Sequence, residues 1–190
     1  MSDLRQSISV SLNKAFADNL NKIDKQKFAN SLSDLVVELI IKRTQAGYDV
    51  NGRKFGNYNA GYNKAKAQKY ARKKSGLTEY ASTSKSNKLQ LTGSLFSSIE
   101  ARAKRFTISK RGVTILIEAY IADSFNRLKA EGLQSTTGYT RNSTYSKKSW
   151  DFFGLAKSGN FANVEAEAIR KLVQKEFGKV AGGGVKVGVN

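Results

Sequence analysis

The residues best equipped for chemistry lie between Asp49 and Lys74. The stretch DVNGRKFGNYNAGYNKAK (Asp49 to Lys66) opens on a tight-turn signal and then alternates cations, glycines and aromatic rings. Arg53, Lys54, Lys64, Lys66, Lys69, Arg72, Lys73 and Lys74 are interleaved with Phe55, Tyr58, Tyr62 and Tyr70. Three chemistries suit such a pattern. A phosphate cradle fails, because no Gly-Lys-Ser/Thr follows the glycines and no strand precedes them. A nucleic-acid groove is physically sound, since cations meet phosphates and tyrosines stack on bases, but no named binding motif is present. A protein–protein arm fits equally well: Tyr and Arg suit interface cores, and glycines let a loop settle on a neighbour.

Covalent and metal chemistry has little to work with. The chain of 190 residues contains no His and no Cys. The usual general base near neutral pH, thiolate metal ligands, disulfides and every Ser-His or Cys-His pair are thereby removed. The carboxylates number 15, and only Asp49, Glu79 and Glu100 stand in or beside the basic block, without metal-ligand spacing. The chain therefore reads as a non-enzyme with no catalytic residue, cofactor or metal. The net charge of +18 is concentrated: residues 51–115 hold 15 basic and 2 acidic side chains, against 7 and 6 in residues 1–50 and 11 and 7 in residues 116–190. Such a block attracts polyanions or an acidic protein surface. No apolar run approaches membrane-spanning length, and the N-terminus lacks the pattern of a signal peptide.

The elements that must position the basic block read as follows. Leu4, Ile8, Leu12, Phe16 and Leu20 recur every fourth residue and predict a first helix. Phe28, Leu32, Leu35, Val36, Leu39 and Ile40 predict a second, with Lys42 and Arg43 in its last turn and Gly47 as its stop. Residues 49–61 form a loop, and Tyr62 to Lys74 a polar helix. Residues 75–88 are small and polar. Thr92 is the candidate N-cap of a short helix carrying Leu95, Phe96 and Ile99. Arg105 to Ile121 gives the best hairpin, turning at Lys110-Arg111-Gly112. Ala122 to Leu133 reads as a helix with Phe125 and Leu128 on its apolar face and a stop at Gly132. Residues 134–149 show no period, and Trp150 to Ala156 is an aromatic cluster. Asn163 is the candidate cap of a last helix through Val164, Ala168, Leu172, Val173 and Phe177. The Gly-rich end is either flexible or an arm that adds a strand to a neighbour. The expected organisation is one domain over 1–190, with its core at about 27–178, a basic loop-and-helix insertion at 49–88 and a C-terminal arm at 179–190. Leu35, Val36, Leu39, Leu95, Ile99, Ile115 and Ile117 are its expected core.

The order of these segments resembles the virion-morphogenesis family of tailed bacteriophages, the neck and tail-completion proteins that include the Mu-type G protein and siphophage relatives. The family pattern is a turn of Asp-x-x-Gly-Arg-x-Phe, a tyrosine-rich segment, then Leu-Thr-Gly-x-Leu-x-x-Ser-Ile. Here it falls on Asp49, Gly52, Arg53 and Phe55, on Tyr58 and Tyr62, and on Leu91, Thr92, Gly93, Leu95, Ser98 and Ile99. Val113 to Tyr120 fits the aliphatic strand that follows. The later Arg-Pro-Phe-x-Gly box is met only by Phe152, Phe153 and Gly154 in WDFFG, since the chain contains no proline. The likeness covers about residues 35–155.

The resemblance implies an α+β fold: several helices packed on a small antiparallel sheet, with an extended basic loop and terminal arms. It implies a structural virion protein, assembled in the host cytoplasm as a homo-oligomeric ring at the head–tail junction. Its partners would be copies of itself and other neck, portal-adaptor or tail proteins, with the packaged DNA within reach of the basic loop and no membrane. It favours the interface role for that loop over a DNA-facing one. The competing reading is a stand-alone basic nucleic-acid-binding protein.

Overall fold

The computed structural model describes residues 4–55, 93–134, 151–178 and 184–189. The fold is α+β. Its first element is a strand, β1 (Arg5–Asn13), followed by a short helix α1 (Lys14–Asn19) and a 3-10 turn. This corrects the helix expected from the four-residue stripe. A spacing of four is also a multiple of two, so Leu4, Ile8 and Leu12 fit either period. Val10 decides between them: Ile8, Val10 and Leu12 are buried while Ser7, Ser9 and Ser11 stay half-exposed, which is the alternation of a half-buried strand.

Helix α2 (Lys25–Gln45) opens on Asp24, whose Oδ1 accepts from the N–H groups of Gln26 and Lys27, both at 3.0 Å. This Asx cap satisfies two of the orphan donors of the first turn. α2 buries Phe28, Leu32, Val36, Leu39 and Ile40, with Leu35 half-buried. The short α3 (Ser94–Ser97) follows Gly93, and buries Leu95 and Phe96. Ile99, expected in this helix, instead opens β2 (Ile99–Ser109), which turns through Lys110 and Arg111 into β3 (Gly112–Ile121). The hairpin and its turn are those expected. Gly112 has a φ of 140°, and a Cβ there would stand 2.0 Å from the Leu12 carbonyl oxygen on β1. Only glycine lets the turn lie that close to the neighbouring strand.

Helix α4 (Ser124–Gln134) starts at Asp123, whose Oδ1 accepts from Asn126 N at 2.7 Å. It runs through Gly132, the expected stop, and its apolar face is inverted. Asn126 and Ala130 are buried, whereas Phe125 and Leu128 are 73% and 55% exposed. Asn126 is held inside because its amide donates to the Ser94 carbonyl oxygen at 3.1 Å. Helix α5 (Gly159–Phe177) begins after Ser158 rather than at Asn163, and buries Glu165, Ile169 and Val173 while Val164 is exposed. The last strand, β4 (Val185–Val189), pairs with β1 of its own chain. That part of the tail is a strand of the home sheet.

The sheet order is β2-β3-β1-β4, antiparallel throughout. One face carries three apolar rows across all four strands: Ile108–Val113–Leu12–Val185, Phe106–Ile115–Val10–Val187 and Ala103–Ile117–Ile8–Val189. α2 packs over the β2 side of this face and α5 over the β4 side. Phe177 closes the far end, edge-on to Phe16 and Phe28 at 5.4 and 5.1 Å between centroids. The core thus takes in Ile8, Val10, Leu12, Phe16, Leu20 and Val185, extending past the expected 27–178 at both ends. Among the described residues no helix is long and apolar enough to cross a membrane.

Candidate functional site

The Asp49 turn is a built structure. Asp49 Oδ1 accepts from Asn51 N at 2.9 Å and Arg53 N at 2.7 Å, and Asp49 N donates to the Arg53 carbonyl oxygen at 2.9 Å. Tyr48 and Lys54 form a bridge across the turn, and the Lys54 ammonium lies 5.9 Å from the Tyr48 ring centre. An aspartate whose carboxylate caps its own turn, followed by Gly52, explains the Asp-x-x-Gly spacing without phosphate. The turn leaves Arg53 and Lys54 exposed and drives Phe55 into the core. Of the proposed basic and aromatic patch these three are described. Tyr58, Tyr62, Lys64, Lys66, Lys69, Tyr70, Arg72, Lys73 and Lys74 lie outside the described residues, as do the expected Tyr62–Lys74 helix, Thr92 and Trp150.

The turn is docked on a segment a hundred residues away. Val50 N donates to the Asp151 carbonyl oxygen at 2.8 Å, and Lys157 N donates to the Val50 carbonyl oxygen at 2.7 Å. Residues 151–158 are themselves held by a buried polar knot. Arg43 Nη2 donates to the carbonyl oxygens of Phe152 at 2.8 Å and Gly154 at 2.5 Å, and Nη1 meets Glu165 Oε1 at 2.6 Å. Glu165 Oε2 accepts from Ala156 N at 2.6 Å, and Gln6 Oε1 accepts from Leu155 N at 2.6 Å. Arg43 and Glu165 are 1% and 3% exposed. Burial lowers the Arg43 pKa, and Glu165 counteracts it; burial likewise raises that of Glu165, against the pull of Arg43. Arg43 is thus a structural cation inside the protein, where the sequence offered only a charge at a helix end. Gly154 has a φ of 100°, and a Cβ there would collide with the Gln6 amide.

A second cationic surface lies on the outer sheet face, opposite α2 and α5. Glu118 on β3 is bridged by Lys104 at 3.0 Å, Arg102 at 3.1 Å and Arg5 at 3.6 Å. Burial opposes its ionisation, but the hydrogen bonds from Lys104 and Arg102 outweigh this and hold its carboxyl below the ordinary range. The neighbouring Tyr120 hydroxyl donates to Glu100 at 2.7 Å, which, with burial, raises the phenol's pKa, and Arg102 lies 5.0 Å from its ring centre. A bulge between Ala103 and Arg105 places Lys104 and Arg105 side by side at the edge. Arg105 has no carboxylate partner among the described residues. The local excess is positive: Arg102, Lys104 and Arg105 belong to the basic block of residues 51–115 but lie outside the Arg53–Lys74 patch, and Arg5 joins them from β1. The signal for it was the period-two run IEARAK, with alanines inward and charges outward.

Under the β2 edge runs a groove of about 420 Å³, lined by Ala29, Ser33 and Asp34 of α2 and Ala101, Ala103 and Phe106 of β2. Ser33 Oγ is buried there without a hydrogen-bond partner. No group of His, Cys, Asp or Glu among the described residues is arranged to hold a metal ion. The geometry offers surfaces for binding: an exposed basic turn on a hydrogen-bonded base, a cationic sheet face and, among the described residues, an open strand edge. No family model, curated protein or solved structure matches this chain.

Proposed function

We propose that this chain is a structural protein of a tailed-phage virion that assembles as a ring at the head–tail junction and joins head to tail. The observation that carries the reading is the meeting of two motifs of the resemblance. The Asp49–Phe55 turn and the Phe152–Gly154 segment, distant in sequence, are hydrogen-bonded through Val50, Asp151 and Lys157 around one buried Arg43. Motifs that meet in one hydrogen-bonded platform beneath the exposed Arg53 and Lys54 suit an assembly protein better than a catalyst. The α+β fold is the one the resemblance implied.

In this reading Arg53 and Lys54, with the remaining basic and aromatic residues of the patch, meet acidic faces of neighbouring neck, adaptor or tail proteins, and the sheet face stands toward the genome path. The work is binding and assembly, without a cofactor or a chemical step. A phage deleted for this gene should yield DNA-filled heads and free tails, and added purified protein should restore plaques. Infectious, joined particles from the deletion would contradict the proposal.

The stand-alone nucleic-acid-binding reading draws on one further observation, the cluster of Arg5, Arg102, Lys104 and Arg105. It requires tight binding of the isolated chain to DNA with a steep salt slope, because each neutralised phosphate adds to that slope.

A further inference from the structure

We infer that neighbouring copies join edge to edge, with β4 of one copy pairing antiparallel to β2 of the next, so that the sheets continue around the ring. The inference rests on the ring reading and names its contact.

Both outer strands have an open edge: β2 and β4 each pair with one neighbour, β3 and β1 respectively, among the described residues. Open edges invite pairing. The order β2-β3-β1-β4 is antiparallel at every step, so β2 and β4 run in opposite directions. A second copy placed head to tail therefore presents its β4 antiparallel to β2 with the same face outward. An interface between two different edges is heterologous and generates a ring when the rotation closes.

The side chains match. In the unsheared register the neighbour's Val185, Val187 and Val189 extend the rows that end at Ile108, Phe106 and Ala103. Ile108 is 63% exposed in the isolated chain although it belongs to the inner, apolar row. The neighbour's valines cover it, beside the groove that holds the unpartnered Ser33 hydroxyl. On the outer face the neighbour's Gly188 leaves room for Arg105, and its Lys186 meets Thr107, with Arg105 at the diagonal position rather than directly opposite. A two-fold pairing of β2 with β2 centred on this cluster would instead bring Arg102, Lys104 and Arg105 of one copy against those of the other, a like-charge contact that disfavours it. Above the junction, the neighbour's α5 carries Arg170, which donates to the Val185 carbonyl oxygen. It arrives beside α2, where Asp34 and Glu38 line the grooves.

The absence of cysteine makes the test clean. Thr107→Cys and Lys186→Cys are introduced together into the phage gene, and purified particles are oxidised and run on gels with and without reductant. Within one chain the two positions are three strand spacings apart, ~14 Å, beyond the roughly 7 Å between Cα atoms that a disulfide spans. The expected result is a ladder of cross-linked multimers that collapses to one band on reduction, while each single variant stays monomeric. Arg105→Cys and Ser109→Cys, each with Lys186→Cys, cover a shear of one step either way. Chain present on the reduced gel with no ladder in any pair, or a dimer from either single variant, overturns the edge contact and leaves the ring reading standing. Chain absent from the particles overturns the ring reading, and the inference with it.

Discussion

At the scale of single residues, Arg43 is the cation of the buried knot on which the Asp49 turn is docked. It ties α2 to residues 151–158 and to Glu165 of α5, with four buried acceptors and donors in one knot. Removing one member strands the other in a dry interior, which costs about 3–5 kcal/mol. Arg43→Ala and Glu165→Ala should each lower unfolding free energy by about that much in denaturant titrations. The double change to apolar residues of similar volume should cost less than the two single losses added, which a double-mutant cycle reads directly. Asp49→Ala removes two hydrogen bonds that close the basic turn, and should cost ~1–2 kcal/mol while freeing Arg53 and Lys54. Glu118 gives a pH signature. Its pKa is depressed in the folded state, so its contribution is present above the ordinary glutamate range and is lost as pH falls through the folded value. Glu118→Gln should therefore cost roughly 0.2–1 kcal/mol near neutral pH, shrinking toward zero in acid and in high salt. A difference between variant and parent that grows on acidification would contradict this assignment.

At the scale of elements, legibility followed the uniqueness of each pattern. The β2–β3 hairpin was readable because β-branched residues, alternation and a Lys-Arg-Gly turn agree. α2 was readable because its stripe breaks the period of two. β1 is ambiguous in sequence because Leu4, Ile8 and Leu12 satisfy both periods, and only Val10 separates them. The buried face of α4 is not legible in sequence because hydrophobicity favours Phe125 over Asn126, whereas the Asn126 amide has a specific partner in the Ser94 carbonyl. The Arg43–Glu165 pair, 122 residues apart in sequence, could not be foreseen without the fold that joins them. Of the candidate site, the turn at Asp49 was legible from its Asp and Gly, while Arg5, Arg102, Lys104 and Arg105 converge only once β1 and β2 flank β3. Ile108→Lys follows at this scale. Ile108 is largely exposed, so the isolated chain should unfold within about 0.5 kcal/mol of the parent. The charge at the end of an apolar row should nevertheless block edge pairing, as edge lysines do, and reduce assembly into particles severalfold.

At the scale of the whole molecule, the architecture is one-sided. Two long helices and the apolar rows form a core on one face of the sheet, and the other face carries arginines, hydroxyls, Glu100 hydrogen-bonded to Tyr120, and the ion-paired Glu118. An object with a cationic sheet face, open strand edges and a basic turn on a hydrogen-bonded base has the surfaces that a repeated subunit needs. In the proposed function, its edges serve copies of itself, its basic turn other proteins and its sheet face a polyanion. Quantitative mass spectrometry of purified, washed particles tests this account most directly, by measuring copies of this chain against copies of the portal protein. A fixed ratio corresponding to one small closed ring per particle is the predicted result. Absence of the chain from washed particles, or a copy number that varies between preparations, would contradict it.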